Sequence, residues 1–143
     1  MLSPSQLLQP TQAGLYCPPG DFYIDPVRAV DRAVITHGHA DHARAGHGAV
    51  LATPETINIM AARYGEEFTA SRQPAKLGEV TDINGVKVWL APAGHVLGSA
   101  QAVAEYKGLR MVCTGDYKRR RDPTCEGFEV VPCHVFISEA TFG

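Results

Sequence analysis

The segment Thr36-His37-Gly38-His39-Ala40-Asp41-His42 constrains the fold of this chain more than any other. It follows directly on the apolar run Ala33-Val34-Ile35, which is typical of a buried strand. Three imidazoles and a carboxylate within six residues, with Gly and Ala between them, are hard to explain as core packing. We therefore expect the strand to end at a site where these side chains meet a common ligand.

A metal is the ligand that these side chains fit best. Histidine is the commonest metal ligand, and neutral imidazole with carboxylate is the donor set of catalytic zinc. His37 and His39, two residues apart, can point the same way from an extended segment. Asp41 and His42 can project from the first turn of a following helix toward a second position nearby. The cluster therefore offers two adjacent metal positions.

Two later segments each add one donor to this set. His95 lies in a glycine-flanked loop after a strand, within the run AGHVLGSA, and Asp116 follows the next hairpin in Thr114-Gly115-Asp116. Alone, a loop histidine is more often a solvated or capping residue, and Gly-Asp is more often a turn. Together they supply a third histidine and a carboxylate able to bridge two ions, as two-metal hydrolytic sites require.

The rest of the chain predicts one domain, residues 1–143, of α/β or α+β class. The helix signal is Pro54 at a first helical position, with Thr53 as its cap and Gly65 at its end. Two hairpins are predicted around Asn84-Gly85 and Lys107-Gly108. Further strands are predicted at 22–24, 33–35, 50–52 and 134–138. Trp89 is expected in the core, and His47 and His134 are expected to be ordinary polar residues. Tyr117 is expected to pack, with stacking on a base as the alternative.

Composition excludes several classes of protein. Hydrophobic residues are 45% and charged residues 20%, as in ordinary globular proteins, and the net charge of −2 does not indicate a nucleic-acid partner. No apolar run approaches the ~20 residues that cross a bilayer, and no secretory signal is visible, so we expect a cytoplasmic protein without a membrane partner. The cysteines, which form no C-x-x-C pair, are expected to be buried free thiols: Cys17, Cys113, Cys125 and Cys133.

The order H-x-H-x-D-H, then G-H, then G-D resembles the metallo-β-lactamase fold superfamily, whose fold is an αββα sandwich. The run AGHVLGSA, followed by TGDY and the final SEATFG, resembles the β-CASP nuclease branch, which includes messenger-RNA 3′-end processing endonucleases and bacterial RNases. The opening GLYCPPGDFYIDP, with GDYK and DPTC, is most similar to bacterial ligase-associated DNA exonucleases. The resemblance covers residues 13–143.

This resemblance implies a two-metal site that holds Zn²⁺, with Mn²⁺ as an alternative. The implied ligands are His37, His39 and His95 for the first metal, Asp41 and His42 for the second, and Asp116 as the bridge. Asp25 matches a carboxylate that positions the histidine loop, although an Asp-Pro turn is the alternative interpretation. Glu139 matches an acidic motif that borders the active site, although it could be a strand-end charge. The expected catalytic carboxylates are Asp41, Asp116 and Glu139.

The implied activity is hydrolysis of phosphodiester bonds by a hydroxide that two metals activate, with DNA favoured over RNA and an ATP-dependent DNA ligase as a functional partner. The basic run Lys118, Arg119, Arg120 and Arg121 could contact phosphates or could be a solvated loop. The alternatives are an RNA-processing nuclease, a small-substrate hydrolase, and an inactive metal-binding or interaction module. Family members continue into a cap domain and further histidines, so we expect the chain to be the amino-terminal part of the sandwich, with at least one ligand missing. The oligomeric state stays open.

Overall fold

The computed structural model describes residues 3–36, 45–93, 100–114 and 135–137, the last range by its backbone. In these residues the helices are α1 (Pro4–Leu7) and α2 (Pro54–Tyr64). The strands are β1 (Gln9–Thr11), β2 (Gly14–Cys17), β3 (Phe22–Ile24), β4 (Arg32–Val34), β5 (His47–Ala52), β6 (Thr69–Pro74), β7 (Thr81–Ile83), β8 (Val86–Pro92), β9 (Ala100–Tyr106), β10 (Leu109–Cys113) and β11 (Val135–Ile137).

Within the described ranges the strands form two sheets. The first sheet has the order β1-β2-β3-β4-β5-β6, with antiparallel pairing up to β3 and parallel pairing from β3 to β6. The second sheet has the order β11-β10-β9-β8-β7, in which β7 to β10 are antiparallel and β11 runs parallel to β10. Parallel strands β3 to β6 therefore all end at the same edge of the first sheet.

The two sheets pack face to face around one apolar core. Alternate residues of the first sheet, including Phe22 and Val34, share this core with Leu90 and Met111 of the second sheet. Leu7 of α1 is also fully buried there. Burial of each such side chain contributes roughly 1.5–3 kcal/mol. The core therefore fixes how the strand ends of one sheet face those of the other.

Helix α2 covers the outer face of the first sheet. The Thr53 side chain caps it by accepting a hydrogen bond from the Thr56 amide (3.3 Å), and Pro54 opens it. Ile57 and Met60 bury their side chains in a second apolar cluster with residues of β4 and β5. The predicted helix is confirmed, as is its end at Gly65.

Both predicted hairpins are confirmed. Asn84 and Gly85 have φ values of 53° and 91°, and Lys107 and Gly108 have 49° and 81°. Two successive positive φ values are the signature of the type I′ turn, whose twist matches that of antiparallel strands. The second hairpin contains a cation–π contact, since the Lys107 ammonium lies 5.3 Å from the centroid of the Tyr106 ring.

Strand β6 is absent from the sequence-based expectations. Its residues, TASRQP, show no apolar alternation and are mostly exposed, because in the described ranges β6 is the last strand of the first sheet. The expectation for Trp89 also needs correction, since its side chain is only partly buried. It packs on the outer face of the second sheet beside Val103 and Val112, with the Arg110 guanidinium 5.1 Å from its ring centroid.

The α/β class predicted from the sequence is confirmed by the two packed sheets and α2. The strand predicted near the end of the chain corresponds to β11. In the part of the chain that the structure describes, neither helix is long and apolar enough to cross a membrane.

Candidate functional site

Among the predicted site residues, Asp25 alone lies within the described ranges. The others lie outside them: His37, His39, Asp41, His42, His95, Asp116, Lys118, Arg119, Arg120, Arg121 and Glu139. Tyr117 and His134 also lie outside. The structure does describe the residues that lead into and out of the segments that carry these donors.

The Asp25 carboxylate accepts two hydrogen bonds from Thr36. Its Oδ1 accepts a hydrogen bond from the Thr36 amide (2.8 Å), and its Oδ2 accepts one from the Thr36 hydroxyl (2.6 Å). Asp25 is 8% exposed and Thr36 is fully buried, so both bonds are shielded from water. Hydrogen bonds to a carboxylate are about twice as strong as neutral ones. This geometry suits a carboxylate that fixes the residue immediately before His37, a role that stays a prediction.

The backbone at Asp25 is shaped for this contact. Its φ of 48° lies in the left-handed region, which Asp tolerates better than most residues. Its amide donates to the Val34 carbonyl (2.9 Å), so the turn after β3 is tied to the end of β4. A Cβ at Gly14 would lie 2.9 Å from the Pro26 Cα, which explains why β2 begins with glycine where the Asp-Pro turn packs on it. The turn and the positioning contact are thus both present.

Thr36 also joins the two sheets. Its carbonyl accepts a hydrogen bond from the Ala100 amide at 2.7 Å, and Ala100 is the first residue of β9. The amide of Ile35, just before it, donates to the Leu51 carbonyl on β5. The chain is therefore held from three directions at the point where it enters segment 37–44. Sequence reasoning missed Thr36, because its burial and its bond to Ala100 depend on how the two sheets meet.

Described residues that flank the three donor-carrying segments lie together at this edge. Segment 37–44 begins after Thr36, and segment 94–99 ends at Ala100. On β10, Cys113 pairs with Ala102, so this strand leaves the second sheet where β9 enters it. The next residue, Thr114, is fully buried and leads into the segment that contains Asp116. The anchors of all three segments are thus neighbours.

The donor set is chemically suited to a metal. Imidazole and carboxylate groups are the ligands of zinc, and manganese also accepts them. Groups that orient metal ligands by hydrogen bonding are part of a metal centre. Within the described ranges, three or more His, Cys, Asp or Glu residues do not gather into a group that could hold a metal ion.

His47 lies at the opposite edge of the first sheet. It is buried at the start of β5, where its Nδ1 accepts a hydrogen bond from the Val30 amide (3.2 Å) and its carbonyl accepts one from the Thr69 hydroxyl (2.8 Å). An open groove of about 730 Å³ there is lined by Asp31 and Glu67 as well as His47. These contacts tie the starts of β5 and β6 to the loop before β4.

The described cysteines behave as buried thiols. Cys17 and Cys113 are both free and buried. Burial is the main cause that raises the pKa of Cys17 to about 11, from an ordinary value of 9.0. A protonated thiol is a poor metal ligand, so Cys17 fits the expectation of a structural cysteine. Cys125 and Cys133 lie outside the described ranges.

Comparisons with known proteins match most of the chain. A family model described as the metallo-beta-lactamase superfamily matches residues 25–139. A "Probable DNA ligase" of Opitutus terrae is 32% identical over 132 residues, which are 91% of this chain and 13% of that protein. The "Endoribonuclease YSH1" of Saccharomyces cerevisiae is 47% identical over 64 residues, which are 43% of this chain and 8% of that protein.

Two further similarities complete these findings. The "Cleavage and polyadenylation specificity factor subunit 3-I" of Arabidopsis thaliana is 27% identical over 144 aligned residues, with coverage of 80% of this chain and 21% of that protein. Among solved structures, Zn²⁺-bound PqqB from Methylobacterium extorquens is 15% identical, with a TM-score of 0.45 over 57% of this chain and 37% of that one. The chain thus spans between 8% and 21% of the length of these curated relatives.

Proposed function

The chain belongs to the metallo-beta-lactamase superfamily, and from this premise we propose that it forms the metal-binding part of a nucleic-acid phosphodiesterase. Membership confirms the resemblance drawn from the histidine motifs, and the relatives include nucleases by name. The observation that supports the proposal is the contact between Asp25, Thr36 and Ala100, since it joins the residue before one donor segment to the residue after another.

Superfamily membership implies a metal cofactor, and the proposal assigns its ligands. In this assignment His37, His39 and His95 would hold one Zn²⁺, Asp41 and His42 would hold another, and Asp116 would serve both ions as the proposed bridge. Mn²⁺ is the alternative ion. When bound, two such cations supply Lewis-acid stabilisation of charge on a phosphate and lower the pKa of water. The described flanks support this assignment because they meet at one edge of the sandwich.

The other residues of the chain orient the donors and the substrate. Asp25 acts through Thr36 and keeps the entry to the histidine segment in place. The basic side chains of residues 118–121 would contact the phosphate backbone, which binds cations without regard to sequence. Glu139 would lie at the border of the same site. Nothing in this scheme requires a nucleophilic serine or cysteine.

DNA is the substrate that the proposal favours. Its support is the similarity to a relative named as a DNA ligase, which covers 91% of this chain. The same similarity supports the proposal that the protein works with a DNA ligase. The proposal takes that ligase to be ATP-dependent and the location to be the cytoplasm. RNA is the second candidate, because the names of the YSH1 and cleavage-factor relatives refer to an endoribonuclease and to polyadenylation.

The test is cleavage of matched DNA and RNA single strands by the natural protein that carries this sequence. The protein is stripped of metal, reloaded with Zn²⁺ or Mn²⁺, and incubated with end-labelled strands. We expect metal-dependent cleavage that His39→Ala and Asp116→Ala abolish. Asp31→Asn, at the opposite edge of the first sheet, is the matched control and should leave cleavage unchanged.

Several outcomes would overturn this proposal. Cleavage that persists in the metal-free protein would exclude a metal-dependent mechanism. Turnover of a thioester or of nitrocefin, without cleavage of either strand, would favour a small-substrate hydrolase. Metal binding at fewer than two ions per chain, without cleavage, would favour an interaction module. Preference for the RNA strand would replace DNA with the second candidate.

A further inference from the structure

Thr36 uses all of its polar groups to join parts of the chain that are far apart in sequence. Its amide and hydroxyl donate to Asp25, at 2.8 Å and 2.6 Å, and its carbonyl accepts from Ala100 at 2.7 Å. Asp25 follows β3, Thr36 follows β4, and Ala100 begins β9 in the other sheet. One buried residue therefore connects two strands of the first sheet with one strand of the second.

We infer that Thr36 is a positioning residue: it fixes the start of segment 37–44 relative to the end of segment 94–99, and so orients the two groups of donors toward the same metal. This inference rests on the proposed function, because its consequence is the geometry of the proposed metal centre. The two segments carry His37, His39 and His95, the ligands assigned to one ion. A displacement of Thr36 would thus move two of these ligands relative to the third.

Substitution can change the side chain of Thr36 while its backbone amide and carbonyl remain. The Asp25 carboxylate holds both the amide and the hydroxyl of Thr36, which leaves its carbonyl aimed at Ala100. Thr36→Val keeps the volume and β-branching of threonine but removes the hydroxyl donor. Asp25 Oδ2 then loses its 2.6 Å hydrogen bond from that hydroxyl in a buried place, and a hydrogen bond to a charged group is costly to lose. Thr36→Ser keeps the hydroxyl and serves as the conservative rescue.

The first measurement is amide hydrogen exchange in the metal-free protein. In Thr36→Val we expect exchange at Ala100 to become at least tenfold faster, while Val103 and Ala104 in the middle of β9 stay as in the wild type. In Thr36→Ser we expect exchange at Ala100 within threefold of the wild type. A threonine that merely stabilised the fold would change the exchange of all these amides together, so the local pattern is specific to positioning.

The second measurement is the affinity of the same proteins for Zn²⁺ alone, by competition with a chromophoric chelator. Groups that orient metal ligands from behind are worth about 10- to 100-fold in affinity. We therefore expect at least tenfold weaker Zn²⁺ binding in Thr36→Val and binding within threefold of wild type in Thr36→Ser. The Asp31→Asn protein should match the wild type in both measurements.

The outcomes separate this inference from the proposed function. If the wild-type protein binds no Zn²⁺, the proposed function fails. If the wild type binds Zn²⁺ and Thr36→Val binds it equally well with Ala100 still protected, the inference alone fails. If Thr36→Val does not fold, Ala100→Pro tests the other bond, since proline is tolerated at the first residue of a strand but lacks the amide hydrogen. Unchanged Zn²⁺ affinity in that variant would also overturn the inference.

Discussion

Replacing Asp25 with asparagine tests whether a carboxylate is needed to hold the end of β4. Asparagine has nearly the same shape and tolerates the left-handed φ of 48°, so the substitution leaves the turn after β3 in place. It removes the charge and leaves one acceptor oxygen where there were two. Only one of the two donors on Thr36, its amide or its hydroxyl, can then donate to a side-chain oxygen of residue 25.

The size of the effect follows from the two bonds. A hydrogen bond to a charged group contributes about 1.5–3 kcal/mol, and one between neutral groups contributes about 0.5–1.5 kcal/mol. Loss of the charge at both bonds therefore lowers the free energy of unfolding by about 2 kcal/mol in Asp25→Asn. In Asp25→Ala both buried donors of Thr36 lose their acceptor, and alanine is strained at positive φ, so we expect a loss of about 4 kcal/mol or more. These losses are large compared with the free energy of unfolding of a typical domain, which is about 5–15 kcal/mol.

The assay is urea denaturation of the full chain, with Asp31→Asn as the control. Asp31 is exposed at the opposite edge of the first sheet, so its substitution should change the free energy of unfolding by less than about 0.5 kcal/mol. The predicted order of stability is wild type and Asp31→Asn, then Asp25→Asn, then Asp25→Ala. Equal stability of Asp25→Asn and Asp31→Asn would refute the argument that the carboxylate holds Thr36.

Three further predictions test other parts of the fold. Burial raises the pKa of Cys17 to about 11 from 9.0, so the thiol loses its proton at lower pH in the unfolded chain than in the folded one. The free energy of unfolding should therefore fall between about pH 9 and pH 11. Denaturation across that range should show a smaller decrease in Cys17→Ala, and an identical decrease would contradict the raised pKa. Lys107→Asn places at the second turn the residue type that Asn84 supplies at the first, and asparagine tolerates positive φ better than lysine. The substitution should raise the unfolding midpoint by the equivalent of about 0.5 kcal/mol. A lower midpoint would show that contacts of the Lys107 side chain contribute more to stability than the relief of its backbone strain. Gly48→Ala places a Cβ 2.5 Å from the Asp31 carbonyl oxygen. It should lower the free energy of unfolding, measured by calorimetry, by about 1–3 kcal/mol and leave the Zn²⁺ affinity unchanged. Weaker Zn²⁺ binding would mean that the two edges of the first sheet are coupled.

The elements that the sequence predicts well are those with local signals. The pair Asn84-Gly85 determines a turn by its own backbone preferences, and Thr53 and Pro54 do the same for the start of α2. Strand β6 has no such signal, because its polar residues become a strand through pairing with β5. The partial exposure of Trp89 likewise depends on which face of the second sheet it occupies, which its own alternation does not reveal.

The candidate site shows the same difference between residues with a local sequence signal and residues that depend on distant contacts. The donors are visible in the sequence as an unusual concentration of histidine and carboxylate, and Asp25 is identified through the family resemblance. Thr36 and its bond to Ala100 depend on how two sheets meet, so no local pattern in the sequence indicates them. The part of the site that sequence reasoning missed is therefore the backbone contact between distant strands.

The most direct test of the central claim is the number of zinc ions that each chain retains. The claim is that the segments anchored near Thr36, Ala100 and Thr114 together hold two ions. Elemental analysis of the natural protein after exhaustive dialysis should give two zinc ions per chain in the wild type and at most one in Asp116→Ala, which lacks the proposed bridge. A wild-type protein that retains no zinc, or an Asp116→Ala protein that retains two ions, would contradict this account.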